Sequence, residues 1–458
     1  MRICGLEEQI HVVDNNITVE EIIKDIVRTK EIADAFFIFD IGDLVNKVKI
    51  WKKKMPRVKP FYAVKCNDNS LLLETLAAFG LGFDCASKVE IKKVMDLGVN
   101  PSRIIFANPA KMTSHIKYAM SQCVNLTTFD NELELYKIKS IHPSCKLVIR
   151  ICCDVSSSLY PLGVKYGCDP HTEAPALLSL ARDLGLSVVG VSFHVGSGCN
   201  EPITFRRAIS TSASIFRLAE QLGFSNMYML NIGGGFPGNK NTSLEKFADI
   251  VNDALNEWFP PSSGVIIIAE PGRYFAASAF TLATKIHSIK NRPNEEHIMY
   301  FINEGVYGSF NCVLLEQLTL VPKPLFENSA SPVIKSSIWG PTCDALDKIV
   351  DSVNLPQMRM GDWITFEDMG AYTISLACTF NGFPISKTFA VVNRRIWHKL
   401  KNLMPISEDH FTTVPIVATI KMIQAESSDD DLWDDTDIEH TRQYPCLHLK
   451  NVFTSPEI

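Results

Sequence analysis

The sequence predicts a (β/α)8 TIM barrel followed by a second, mainly β domain of sandwich or barrel-like kind. Three observations predict it. Eight short apolar runs, at 59–64, 82–85, 103–106, 126–129, 146–152, 187–193, 227–232 and 265–269, have the length of strands buried on both faces. Helix-period stretches separate them, and eight such alternations over about 220 residues are the count and length of a closed barrel. Past about residue 280 the rhythm changes to short strand-like runs between turns rich in Pro, Gly and Asn, the pattern of an all-β unit. A doubly wound open sheet is the alternative for the first part, and strand count alone does not separate the two.

Residues 1–39 hold a strand-like Ile10 to Val13, a helical stretch from Val19 to Thr29 and a strand-like Ala35 to Phe39. They are assigned as a segment that joins the β domain. The barrel is assigned to 40–279. Its helices are predicted at Ser70 to Phe79, Lys88 to Leu97, Glu132 to Ile141, Ala174 to Leu184, Phe205 to Leu222 and Leu244 to Trp258. The β domain, 280–410, carries predicted strands at Thr281 to Ile289, His297 to Ile302, Val333 to Trp339, Trp363 to Phe366 and Phe389 to Val392. The remainder, 411–458, is a tail whose stretch 425–439 is strongly acidic and is expected to be solvated and poorly ordered in part.

The chain has 458 residues, 46% hydrophobic and 21% charged, which is ordinary for a globular protein of two domains. A net charge of -6 argues against a general nucleic-acid binder. No apolar run reaches the length of a membrane span, and the first residues have no apolar core of the kind a secretory signal needs. The 13 cysteines are scattered, odd in number and without a CxxC pair. That pattern fits reduced thiols and a cytoplasmic location, and fits neither a disulfide framework nor a metal site.

In a barrel, functional residues sit at the carboxyl ends of strands. Polar residues recur there in phase: Lys65, Asp84, Asn108, Arg150, His194, Gly233-Gly234-Gly235 and Glu270. A lysine at one strand end is by itself an ordinary solvated ammonium. On a rigid support and out of water it is an amine for covalent catalysis. Three glycines after the seventh strand let backbone N–H groups approach an anion. Glu270-Pro271-Gly272-Arg273-Tyr274 follows the eighth strand, and loops seven and eight are where barrels commonly hold phosphate, here with Arg273 as counter-charge. Glu270 ends an apolar run, where an isolated carboxylate would rather protonate and a cationic ring nitrogen would relieve it. His194, flanked by Gly196, Ser197 and Gly198, offers a flat face. Amine, phosphate nest, ring carboxylate and imidazole together specify pyridoxal phosphate.

These residues lie in Phe61-Tyr-Ala-Val-Lys-Cys-Asn67, Gly82-Phe-Asp-Cys-Ala-Ser-Lys88, Val191-Ser-Phe-His-Val-Gly-Ser-Gly-Cys199, Ile232-Gly-Gly-Gly-Phe-Pro-Gly238 and Glu270-Pro-Gly-Arg-Tyr274. Further on come Gly305-Val-Tyr-Gly-Ser-Phe-Asn311, Trp339-Gly-Pro-Thr-Cys-Asp344 and Gly370-Ala-Tyr-Thr373. The set spans about residues 35 to 400 and resembles the ornithine decarboxylase family, whose animal branch also includes the antizyme inhibitors. The resemblance implies a barrel of alanine-racemase type, a homodimer and pyridoxal 5'-phosphate. It implies that Lys65 holds the cofactor covalently, Glu270 meets the pyridine nitrogen and His194 stacks on the ring. Ser197, the glycine loop, Gly272, Arg273 and Tyr372 would hold the phosphate. Cys343 and Asp344 would come from the other subunit, Cys343 for the proton at the substrate α-carbon and Asp344 for the far end of the substrate. Glu304 and Phe380 would bound that end, Asp84 and Arg150 would support the site, and Lys165 with Asp347 would form an inter-subunit ion pair.

Three positions depart from the family. Glu304 stands where the decarboxylases have aspartate, one methylene longer. Asn231 replaces the usual aspartate before the glycine loop. The tail is acidic and unlike the destabilising tail of the vertebrate decarboxylase. Two substrates therefore stay open, ornithine or a neutral aliphatic amino acid such as leucine. The other class is a non-catalytic regulator that binds antizyme, whose region in the family aligns with Lys111 to Lys117 and Asn131 to Lys137. The retained cofactor residues favour the enzyme.

Overall fold

The apolar runs become strands and the stretches between them become capped helices. The computed structural model describes residues 9–30, 32–153, 165–292, 296–326 and 330–413. The acidic run 425–439 lies outside the described residues. Two strands precede the barrel, β1 (Ile10–Val13) and β2 (Phe36–Asp40). Between them the helix Val19–Thr29 opens on a capping box, in which Thr18 and Glu21 satisfy each other's backbone N–H groups.

The barrel strands are β3 (Val58–Ala63), β4 (Gly82–Cys85), β5 (Ile104–Phe106), β6 (Leu126–Phe129), β7 (Lys146–Arg150), β8 (Ser187–Ser192), β9 (Met229–Asn231) and β10 (Ile266–Ala269). All are parallel, each pairs with the next, and β10 pairs with β3 through Ile267↔Val58 and Ile268↔Lys59. That last pairing closes the barrel and removes the open-sheet alternative. Predicted and observed helices agree within two residues, as at Ser70–Ala78, Glu132–Ile141 and Ile203–Gln221. Inside the barrel, Phe61, Ile105, Val148, Val189, Met229 and Ile268 form an apolar plug. Gly82 faces it too, since a Cβ there would lie 2.5 Å from the Phe61 ring.

The second unit is a mixed sheet. Its strands are β11 (Phe280–Arg292), β12 (His297–Ile302), β13 (Lys323–Pro324), β14 (Val333–Trp339), β15 (Lys348–Pro356), β16 (Trp363–Phe366), β17 (Lys387–Asn393) and β18 (Phe411–Thr413). The order is β15-β14-β12-β11-β2-β17-β1-β18, with β16 paired to β11 and β13. The first two strands of the chain thus lie among strands made some 350 residues later. Sequence reading does not foresee β13, β15 or β18. β15 is an edge strand in which the exposed Asp351, Ser352 and Asn354 interrupt the apolar residues.

Among the described residues no helix is long and apolar enough to cross a membrane.

Candidate active site

The pleat decides which side chains reach the barrel mouth. Residues two apart on a strand share a face. Stepping two residues from Val148, Met229, Ile268 and Gly82 gives Arg150, Asn231, Glu270 and Asp84. The polar residues at the strand ends are therefore the next layer above the apolar plug.

Lys65 lies just beyond β3. The strand ends at Ala63, one residue earlier than the sequence suggests, and Lys65 sits in the 3-10 turn Val64–Cys66. Its ammonium pairs with Asp84 and faces a cavity of about 470 Å³ lined also by Asn108, Arg150, Tyr166, His194 and Glu270. Burial works against the charge of Lys65, but Asp84, with help from Glu270, outweighs it and holds the ammonium above the ordinary lysine range. Asp84 is fully enclosed, and its Oδ1 has no hydrogen-bond partner.

Glu270 follows β10 directly. Burial, then the nearby Asp84 carboxylate, raises its carboxyl from the ordinary range to about 7. Asn231 donates to Glu270 Oε1 at 2.6 Å and accepts from the Gly233 amide at 2.9 Å. Asn231 is neutral and thus sets no second acid beside the buried one. His194 accepts from the Gly196 amide through Nδ1 at 2.9 Å. Burial, then Arg150 and Lys65, hold its imidazole well below the usual range, so the ring is neutral.

The loops after β9 and β10 form a cradle beside this cavity. Gly233 and Gly235 have φ of +62° and +110°, and a Cβ on Gly234 would lie 2.9 Å from His194 Nε2. A Cβ on Gly238 would lie 1.9 Å from the Arg273 carbonyl. Buried Lys47 ties the two loops by donating to the carbonyls of Gly238 and, at 2.8 Å, Tyr274. Trp51 packs on Phe236 and Tyr274 from below. Arg273 Nη2 donates to Ser197 Oγ at 3.2 Å, and its guanidinium lies 5.2 Å from the Tyr372 ring centre. Gly272 presses on Cys66, where a Cβ would lie 2.7 Å from the Cys66 Cβ.

A second cluster lies on the β domain. Cys343 is exposed, and its amide and Sγ donate to Asn381 Oδ1 at 3.2 and 3.3 Å. Asp344 accepts from the Tyr307 hydroxyl, and Tyr307 packs on Phe380 with the rings tilted by 37° and their centres 4.4 Å apart. Neither Cys343 nor Asp344 nor Phe380 lines the Lys65 cavity of the same chain.

A pyridoxal phosphate fits the barrel mouth. The cradle admits no Cβ, Arg273 Nε is buried without a partner, and a neutral ring faces a lysine and a proton-sharing carboxyl. Comparison with known proteins agrees. Residues 41–277 match the family model described as "Pyridoxal-dependent decarboxylase, pyridoxal binding domain". The ornithine decarboxylase of Mus pahari is 48% identical over 413 residues, covering 86% of this chain and 89% of that protein. The chain belongs to the ornithine decarboxylase family. Antizyme inhibitor 2 of Xenopus laevis is 46% identical over 399 residues, 84% of this chain and 86% of that protein. The crystal structure of the Paramecium bursaria Chlorella virus arginine decarboxylase bound to agmatine superposes with a TM-score of 0.78 at 38% identity, covering 82% of this chain and all of the other. The protein is a pyridoxal-phosphate-dependent amino-acid decarboxylase of ornithine decarboxylase type.

Against the expectations the family sets, the structure brings Lys65, Asp84, Arg150, His194, Ser197, the three glycines, Glu270, Gly272, Arg273 and Tyr372 around one cavity and its cradle. Glu304 is placed differently from a substrate ligand. Its buried carboxylate accepts from the amides of Gly305 and Ser309 and from the hydroxyls of Ser309, at 2.8 Å, and Ser386. Asp347 accepts the amides of Val306 and Thr342 at 2.8 and 2.9 Å, while Lys165 lies over the Tyr166 ring at 5.1 Å. Within one chain these two are not partners. Sequence reading missed Glu316, which pairs with Arg273, and Asn381 and Ser386, which hold Cys343 and Glu304. No motif marks them.

The raised Glu270 carboxyl predicts a pH-dependent stability. In the cofactor-free protein between pH 4.5 and 7 the folded chain keeps a proton that the unfolded chain releases. The contribution of this group to stability therefore falls as pH rises through that window, by on the order of a few kcal/mol, and is level above it. Measured by urea unfolding, wild type should lose stability relative to Glu270→Gln, which has no proton to release, from pH 4.5 to 7. A constant difference would show an ordinary carboxyl.

Proposed function

We propose that the protein decarboxylates L-ornithine as a homodimer, with each site completed by the partner subunit. The observation that carries this reading is the separation of two half-sites on one chain. The barrel mouth holds the amine and the cofactor residues, and the exposed β-domain cluster holds the thiol and the second carboxylate.

Lys65 would hold the cofactor through its amine, at the mouth of the cavity where a substrate amine would enter. Arg273, Ser197, Tyr372 and the glycine loop hold the phosphate, and His194 supports one face of the ring. When bound, pyridoxal phosphate supplies an electron sink for the pair left behind as carbon dioxide departs. Glu270, buried at the end of β10, would stand as a carboxylate against the ring nitrogen and favour its protonated form. The partner's thiol, in the role of Cys343, delivers a proton to the α-carbon in place of the lost carboxylate. Asp344, whose carboxyl is lowered by the Leu346 amide and then by Tyr307, is ionised and suited to a distal ammonium.

Ornithine is favoured by the relatives that carry that activity in their names. Because Glu304 is held by Ser309 and Ser386, Asp344 is left as the acid for the far end of the substrate. The test is carbon dioxide release from ornithine, lysine, arginine, leucine and methionine, with Glu304→Asp in parallel. Ornithine should lead. The shorter acid cannot keep all four hydrogen bonds, so Glu304→Asp should lower the Tm, while the ratio of ornithine to leucine rates stays near that of wild type. A wild-type enzyme faster on leucine would replace ornithine by the neutral substrate. A ratio changed about tenfold or more would return Glu304 to substrate choice.

Antizyme is a second proposed partner. The adjoining helices Thr113–Ser121 and Glu132–Ile141 and the residue before the first of them leave Met112, Met120, Leu133 and Tyr136 exposed. The free thiols among the described residues suit the cytoplasm.

A further inference from the structure

Lys47 stands behind the cradle and not in it. It lies on the helix Ile41–Lys54 and is buried. Its Nζ donates to the carbonyl of Gly238, in the loop after β9, and at 2.8 Å to that of Tyr274, just after β10. The Tyr274 hydroxyl donates back to the Lys47 carbonyl at 3.0 Å, and the ammonium lies 5.1 Å from the centre of the Tyr274 ring. One turn on, Trp51 brings the same helix face against Phe236 and Tyr274. Both partners of Nζ are thus main-chain carbonyls, and among the described residues no carboxylate forms an ion pair with it. Burial works against its charge, while Asp43, then Asp368, favour it from further off.

We propose that Lys47 is a positioning residue for the cofactor phosphate, holding the loops after β9 and β10 at the spacing a phosphate needs and lending that site a positive charge. Two buried carbonyls aimed at one point repel each other and need a donor, and Lys47 serves both. Phe236 and Arg273 line the cradle beside Gly238 and Tyr274, so a shift of either carbonyl moves the cradle with it. The charge matters as well as the bonds. A buried ammonium is poorly screened, and neutral carbonyl partners leave its net charge intact, so its field reaches an anion in the cradle. A phosphate feels that field, and the uncharged end of pyridoxal does not. This rests on the reading of the two loops as the phosphate site.

The test is equilibrium titration of the dialysed full-length protein with pyridoxal 5'-phosphate and, separately, with pyridoxal, followed by absorbance and fluorescence. Lys47→Met fills similar space without charge or donor. It should raise the Kd for pyridoxal 5'-phosphate about tenfold or more and leave that for pyridoxal within about twofold. Lys47→Arg keeps a cation and donors for both carbonyls and should recover most of the loss. Lys47→Gln, which keeps a donor and no charge, makes the same comparison where the methionine variant does not fold. The Tm of each cofactor-free variant reads damage to packing, and the ratio of the two Kd values should not follow it. Arg273→Ala, run in parallel, should weaken pyridoxal 5'-phosphate alone. If it does, and the uncharged Lys47 variants weaken neither ligand or both alike, the role of Lys47 is overturned and the phosphate site stands. A folded Lys47→Arg that binds pyridoxal 5'-phosphate no better than the uncharged variants also overturns it. If Arg273→Ala changes nothing, the phosphate assignment falls and the role of Lys47 with it.

Discussion

Lys65→Ala should lose decarboxylation by at least about a thousandfold, the upper part of the range for removing a positioned acid–base or nucleophilic group. Among the described residues, Lys65 is the lysine that lines the cavity and its cradle. The alanine variant also strips the cation from Asp84, which is fully buried, and leaves it near Glu270. Part of any loss could then come from a damaged site. Lys65→Arg separates the two effects. It keeps a cation for Asp84 and cannot bond covalently to the cofactor. Wild-type protein with pyridoxal phosphate should absorb in the visible range, and borohydride should fix the cofactor to Lys65. Lys65→Arg should keep the wild-type Tm and lose both label and turnover. Labelling at another lysine, or turnover above about one per cent in Lys65→Arg, would end the assignment of Lys65.

What was legible in the sequence follows from how local the cause is. The barrel strands read as apolar runs because parallel strands are buried on both faces. Their helices read from period, and the structure adds caps such as Ser87 and Asn131, whose side chains accept the N3 amides. Asp84, Arg150, Asn231 and Glu270 were findable because period 2 extends from the apolar plug to the site above it. The two half-sites are another matter. Cys343 and Asp344 lie at an exposed turn, and without the family resemblance nothing in the local sequence lifts them above a thiol and a turn acid. Glu304 was legible as a departure, but its direction was not. That depends on Ser386, which stands 82 residues on. The Glu316 pairing was invisible for the same reason. It joins the end of one short helix to a loop 43 residues earlier. β15 escaped because an exposed edge carries charge where a buried strand carries valine.

The separation of half-sites makes the second large prediction. Cys343→Ala alone should keep cofactor binding, since Cys343 lies outside the Lys65 cavity of its own chain, and should lose most correct turnover. Lys65→Ala alone should be inactive. Mixed under conditions where subunits exchange, the two should recover activity. A dimer of one of each has one site built from Lys65 of the first subunit and Cys343 of the second, both intact, and one site lacking both. Random pairing at equal amounts makes half the dimers mixed, each with one good site in two. The expected yield is about a quarter of wild-type activity. The outcome separates the arrangements. If Lys65 and Cys343 acted within one chain, every site in the mixture would lack one of them, and recovery would be nil. A recovery near a quarter that rises with exchange time and vanishes when dimers are cross-linked before mixing would fix the site at the interface. It would also account for an exposed thiol and a carboxylate held ready by Asn381 and Tyr307 with no substrate pocket of their own.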